Sequence, residues 1–122
     1  KATATDVNFE QGAEAKYLVA EILFKQKNVQ KAEAEITDFI DKNTPHQYWL
    51  GKAFILLADI YLSRNDEFQA KHTLKSLVEN YNNETDGIIA EASEKLAVIE
   101  NKEKQEQQNA IDNSFQMKIK EQ

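Results

Sequence analysis

The sequence predicts an all-α fold, and three observations carry that prediction. Only three glycines and one proline interrupt its 122 residues. Ala, Leu, Glu, Lys and Gln, the strong helix formers, are plentiful throughout. Small and apolar residues also recur at helical spacing inside a longer period of 38 residues. With 41% hydrophobic and 30% charged residues the chain has the balance of a globular protein. Its length suits one compact domain or a short repeat array with a continuous core.

The first helix is expected over 12–27, where Lys16, Val19, Ala20 and Leu23 follow the helical period. Asn28 then serves as N-cap of a second helix over 29–42. Thr44-Pro45-His46-Gln47 combines a capping threonine, a first-turn proline and a glutamine at the third helical position. This opens a third helix over 45–64. Asp66 and Gln69 repeat the capping pattern for a fourth over 67–81. Thr85 or Asp86 opens a fifth over 87–105, with Gly87 weakening its first turn. Every connection is at most five residues long, as packed helical hairpins require.

The period appears most clearly in two alanine pairs. Ala20 and Ala32 lie twelve residues apart, as do Ala58 and Ala70, and the second pair follows the first by 38. Around them, Lys16-x-x-Val19-Ala20-x-x-Leu23 leads to Ala32-x-x-x-Ile36, and Phe54-x-x-Leu57-Ala58-x-x-Tyr61 leads to Ala70-x-x-x-Leu74. A partial third copy is expected at Ser93-x-x-Leu96-Ala97. Two antiparallel helices approach closely only where side chains are small, and larger neighbours fill the space between hairpins. A single hairpin cannot bury both its faces, so copies must stack.

This pattern resembles the tetratricopeptide signature over roughly residues 12–100, most closely in the second copy; the first has Lys16 in place of an aromatic and Leu23 in place of a tyrosine. The resemblance implies antiparallel hairpins stacked as a right-handed superhelix of about five helices with a helical C-terminal tail. Repeats are then expected at about 13–45 and 51–82, with a capping helix at about 87–105 and an extension over 106–122. Residues 1–11 become the end of a preceding repeat or a linker. Phe39-Ile40-Asp41-Lys42-Asn43-Thr44-Pro45 resembles the ending found in bacterial cell-envelope members, among them outer-membrane assembly lipoproteins and Tol–Pal-associated proteins. That resemblance favours the periplasm. The chain also starts at Lys1 without a methionine, so a piece of a larger repeat protein is expected.

The resemblance implies a protein or peptide partner on the concave face, lined by the first helix of each hairpin. Its usual lining positions fall on Glu14, Tyr17, Glu21, Phe24 and Lys25, and on Lys52, Ile55, Asp59, Leu62 and Ser63. This mixed apolar and acidic surface suits an extended or helical segment with some positive charge. The Lys/Asn clamp that holds a C-terminal carboxylate in some members is missing, because Tyr17 and Glu21 stand in its place. Tyr17 and Phe24 have an alternative role, packing against a neighbouring repeat. Trp49, beside Tyr48, is a candidate contact anchor or a residue packed on the preceding hairpin. Ile111, Phe115 and Ile119 recur every four residues and form a candidate self-association stripe, through which a homodimer would form; the alternatives are a fold-back or a frayed tail.

Other function classes find little support. A net charge of −6 and a pI near 5.0 repel nucleic-acid backbones. The longest apolar run, Ala53–Ile60, contains Asp59 and is far shorter than the about 20 residues of a membrane span. Cysteine is absent, so no disulfide or thiol chemistry is available. His46 and His72 fall in different helices without a ligand partner, and no nucleophile motif or glycine-rich phosphate loop is present. No catalytic residue, metal or cofactor is expected. The expected function is a non-catalytic interaction scaffold, with a structural cap ending a longer stack as the alternative. Glu91, Glu94 and Asn101 on the fifth helix fit such a solvent-facing end.

Overall fold

The computed structural model describes residues 6–120, which hold five helices and no strand. They are α1 (Glu10–Lys25), α2 (Val29–Asp41), α3 (Gln47–Ser63), α4 (Glu67–Asn80) and α5 (Ile88–Lys120). Helix α1 packs chiefly on α2 and α3 chiefly on α4, while α3 also touches α1, α2 and α5, and α5 also rests on α4. The central helix α3 therefore has neighbours on all its flanks. That explains its composition, with seven buried residues from Gly51 to Ile60 against four in α1.

The 38-residue period is reproduced in the backbone. Helix α1 ends with Lys27 in the left-handed region at φ 68°, and α3 ends with Asn65 at φ 61°. In the first turn the Asn28 amide donates to the Leu23 carbonyl at 2.9 Å and that of Lys27 to Phe24 at 3.0 Å. In the second the Asp66 amide donates to Tyr61 at 2.9 Å and that of Asn65 to Leu62 at 3.0 Å. This paired bonding satisfies the last free carbonyls of each helix and reverses the chain within three residues. The alanine pairs lie where the turns bring the helices together. Ala20 and Ala32 are fully buried in one core cluster, and Ala58 and Ala70 in the next. A larger side chain at any of the four would force the helices apart.

Three local expectations need correction. Thr44 is not the N-cap of α3, which starts two residues later than expected, at Gln47. Its side chain is buried, donating to the Val7 carbonyl and accepting from the His46 amide at 3.2 Å. His46 Nε2 lies 3.1 Å from the Asn8 carbonyl oxygen. The threonine thus ties the segment before α1 to the α2–α3 turn, a long-range bond that outweighs the local capping pattern. Gly87 lies outside α5, at φ 92°, a conformation other residues rarely adopt. Asp86 beside it accepts from the Ile88 amide at 3.1 Å and from the Tyr81 hydroxyl, and so fixes where α5 begins. The third correction concerns Ala97, which is exposed, whereas Ala92 is fully buried. In α1 and α3 the signature alanine is covered by the following helix, and among the described residues none follows α5. The expected capping of α4 does occur, with the Asp66 carboxylate accepting from the Gln69 amide at 3.2 Å.

Candidate functional site

Helices α1 and α3 carry the expected lining positions, and contacts join these side chains to one another and to α5. Tyr17 on α1 is buried, with its ring 5.7 Å from that of Trp49 and its hydroxyl donating to Glu21 at 2.9 Å. Lys52 on α3 reaches over the Tyr17 ring, 5.8 Å from its centroid, and pairs with Glu91 on α5 at 3.5 Å. Two turns further along α3, Asp59 pairs with Lys95 of α5 at 3.1 Å. Helix α1 is thereby joined to α3 by the Lys52–Tyr17 contact, and α3 to α5 by two partly buried ion pairs. Burial first, then the hydrogen bond to Glu21, pushes the Tyr17 hydroxyl above the usual tyrosine range. The negative charges of Glu21, Glu91 and Asp59 act in the same direction.

The expected residues divide by burial. Glu21, Phe24, Lys52, Asp59 and Leu62 are partly exposed, and Glu14, Lys25 and Ser63 are exposed. Tyr17 and Ile55, which occupy equivalent positions 38 residues apart, are buried in the two core clusters. They underlie the face and support its outer residues. Trp49 is partly buried against the first cluster, with Tyr48 edge-on to it at 5.0 Å between ring centroids. Ile111, Phe115 and Ile119 are all exposed on the distal part of α5. By helical periodicity they lie on the side opposite Ile88, Ala92 and Ile99, the residues that α5 buries.

Sequence reasoning missed the cross-helix ion pairs. Lys16 bridges Glu35 and Asp38 at 2.8 Å each, and Arg64 pairs with Glu33 at 2.6 Å. Helix α5 is fastened to α4 by Lys71–Glu103 at 2.9 Å and Lys102–Glu67 at 2.5 Å. These pairs join residues on different elements, and the 38-residue register does not reveal them, since Lys16, Glu35 and Asp38 correspond to Phe54, Thr73 and Ser76. A further feature is a cavity of about 380 Å³ between α3 and α4, lined by Leu50, Phe54 and Leu77 with His72, Thr73 and Ser76. Among the described residues no group of three or more His, Asp or Glu is placed to hold a metal ion. No helix among them is long and apolar enough to cross a membrane. No protein-family model, curated protein or solved structure matches the chain.

Proposed function

We propose that the chain is a non-catalytic scaffold of the tetratricopeptide type, holding a protein or peptide along the face shared by α1, α3 and α5. The observation that supports this most is the set of partly exposed side chains on α1 and α3, Glu21, Phe24, Lys52, Asp59 and Leu62, carried by helices whose intervening residues Tyr17 and Ile55 are buried in the core. Exposed groups on a fixed base lose little entropy on binding, which is the economy of a preorganised surface. Phe24 and Leu62 supply apolar contact at equivalent positions, and Glu21 and Asp59 supply a carboxylate in each copy. A segment that alternates apolar and basic side chains matches that spacing.

The test is a titration of apolar–basic peptides and their apolar–acidic counterparts, followed by Trp49 fluorescence. The basic series should bind and the acidic series should not. Asp59→Lys should weaken binding about tenfold or more, since it reverses one carboxylate at the face. Phe24→Ala should weaken it without loss of helicity. Equal binding of both series, or binding untouched by either variant, removes the reading.

A second reading has its own observation, the exposed stripe Ile111, Phe115 and Ile119 beyond the last ion pair to α4. In that reading α5 caps the stack and joins two copies through its distal half. Light scattering on the intact chain and on one ending at residue 105 decides it: a monomeric mass for both eliminates the dimer.

A further inference from the structure

The cavity between α3 and α4 has a filled counterpart in the first hairpin, and the filling shows what chemistry fits. There Lys16 reaches from α1 to α2, and its ammonium donates to Glu35 and Asp38 at 2.8 Å each. Its side chain is only 17% exposed, so most of the stem is covered. The positions 38 residues on are Phe54, Thr73 and Ser76, and Lys42 likewise becomes Asn80. Four charged positions are thus neutral in the second copy, and Phe39 is replaced by the smaller Leu77. The space left is about 380 Å³, and no Asp, Glu, Lys or Arg lines it. Its walls are Leu50, Phe54 and Leu77, with the Tyr81 ring joining them where α5 begins. Gly51 admits that ring, since a Cβ there would stand 3.1 Å from Cε1 of Tyr81 and 2.9 Å from Cγ2 of Ile88. Asp86 accepts from the Tyr81 hydroxyl and holds the ring in place.

We infer that this cavity binds an uncharged small molecule with an apolar body and one hydrogen-bond donor at its end, an aromatic alcohol being the simplest case. The ligand takes the place that Lys16 fills in the first hairpin. Its body lies on Leu50, Phe54 and Leu77, and its donor meets Thr73 and Ser76, which hold the positions of Glu35 and Asp38. The Thr73 hydroxyl gives its own proton to the Gln69 carbonyl at 2.8 Å, so towards a ligand it accepts. Neutrality follows from the lining: a cation would find hydroxyls where Lys16 finds carboxylates, and an anion would find no cation. Size follows from the volume, which lies in the range of small-molecule pockets. An apolar cavity of about 150 Å³ holds benzene, so this one admits roughly two fused rings. Gln47, Leu50 and Phe54 lie on a different side of α3 from Lys52, Asp59 and Leu62. The site is therefore separate from the proposed peptide face and stands or falls independently of it.

The probe is 2-naphthol, uncharged near neutral pH, titrated into the 122-residue chain while backbone amide chemical shifts are followed. It should shift amides around Gly51 on α3 and Thr73 on α4. Naphthalene-2-carboxylate and 2-naphthylmethylammonium should bind about tenfold or more weakly. 2-Methoxynaphthalene, which keeps the rings and loses the donor, should bind about threefold or more weakly. Phe54→Lys, Thr73→Glu and Ser76→Asp made together transplant the Lys16 bridge and should weaken naphthol about tenfold or more. Leu77→Phe, which restores the residue of the first copy, fills the cavity from α4 if the triple variant loses helicity. Phe24→Ala and Asp59→Lys, on the peptide face, should leave naphthol binding unchanged. The inference is overturned if naphthol shifts no cavity amide up to its solubility, or if any analogue binds equally well. Binding that a folded, filled variant retains, or that Phe24→Ala or Asp59→Lys removes, overturns it as well. Shifts of the cavity amides by the apolar–basic peptides, with none from naphthol, would assign the cavity to a partner's side chain instead.

Discussion

The two hairpins, α1–α2 and α3–α4, share one backbone plan and differ in what fills the groove between their helices. Each closes with the same turn, and each crosses at two fully buried alanines. In the first, Lys16 spans the groove and meets both Glu35 and Asp38. In the second, the corresponding positions are Phe54, Thr73 and Ser76, and the groove opens as a cavity of about 380 Å³. The difference shows which positions the period controls. The alanine crossings and turn geometry must repeat, because a misfit there moves whole helices. The groove rim is partly solvated, so an ionic bridge and an apolar wall can each occupy it without altering the crossing. The hairpins also differ in surroundings, since α3 is enclosed and α1 is open on its outer side.

The largest effects should come from the positions that the two hairpins hold in common. Phe39 is fully buried and corresponds to Leu77, which borders the open cavity. Phe39→Ala should cost about 3–5 kcal/mol, whereas Leu77→Ala should fall near the lower end of its class, about 2 kcal/mol, because water already reaches one side of it. Urea unfolding at unchanged m-value measures both. Equal losses would mean that the two seams are enclosed alike, and the contrast between them would fail.

The groove itself offers a smaller and pH-dependent effect. Lys16→Met should cost about 1 kcal/mol or less, since the bridge is only partly buried. Burial pulls the Lys16 pKa down, but hydrogen bonds to Asp38 and Glu35 more than compensate and leave it raised. Its hydrogen bond to Lys16 holds the Asp38 carboxyl below its ordinary 3.8. A lowered carboxyl pKa stabilises the folded state above 3.8, and the gain vanishes as pH falls through the folded value. The raised lysine acts at the other end, stabilising fully below pH 10.5 and losing that contribution as pH rises through its folded pKa. Lys16→Met should therefore flatten both the acid and the alkaline limbs of the stability–pH profile. Phe54→Met, in the second groove, should leave both unchanged.

Much of the helical plan was legible in the sequence because it depends on local signals. Periodicity, the alanine pairs and the Asp66 cap placed four helices to within a few residues of their observed limits. Long-range contacts were less accessible. Thr44 carried a sound capping pattern, yet its hydroxyl bonds a carbonyl 37 residues away. Tyr17 and Ile55 matched lining positions, but their exposure depends on how far Trp49 and α5 lean over them, which spacing alone does not encode. Ala97 continued the repeat in sequence while lacking the helix that would cover it. The partly exposed part of the candidate face, from Glu21 to Leu62, nevertheless falls on lining positions that the tetratricopeptide resemblance implies. Its ties to Glu91 and Lys95 were not legible, since α5 carries only a partial copy of the pattern and Glu91 was expected at a solvent-facing end.

The smallest contrast lies in the turns, and it isolates backbone strain from packing. Lys27 and Asn65 hold the same left-handed conformation at φ 68° and 61° and make the same pair of hydrogen bonds. Both are exposed, so neither contributes core contacts. Asparagine tolerates this region better than lysine, whose Cβ crowds the following carbonyl. Glycine removes that crowding at either site but also widens the unfolded ensemble, and the two effects oppose each other. At position 27 relief should win, and Lys27→Gly should stabilise by about 0.5 kcal/mol. At position 65 less strain is present to relieve, so Asn65→Gly should be close to neutral. Thermal melts of the two variants, run beside the parent chain, measure the difference directly. If both gain equally, side-chain identity at the turn is irrelevant; if Lys27→Gly loses stability, the lysine stem is contributing packing that its exposure does not reveal.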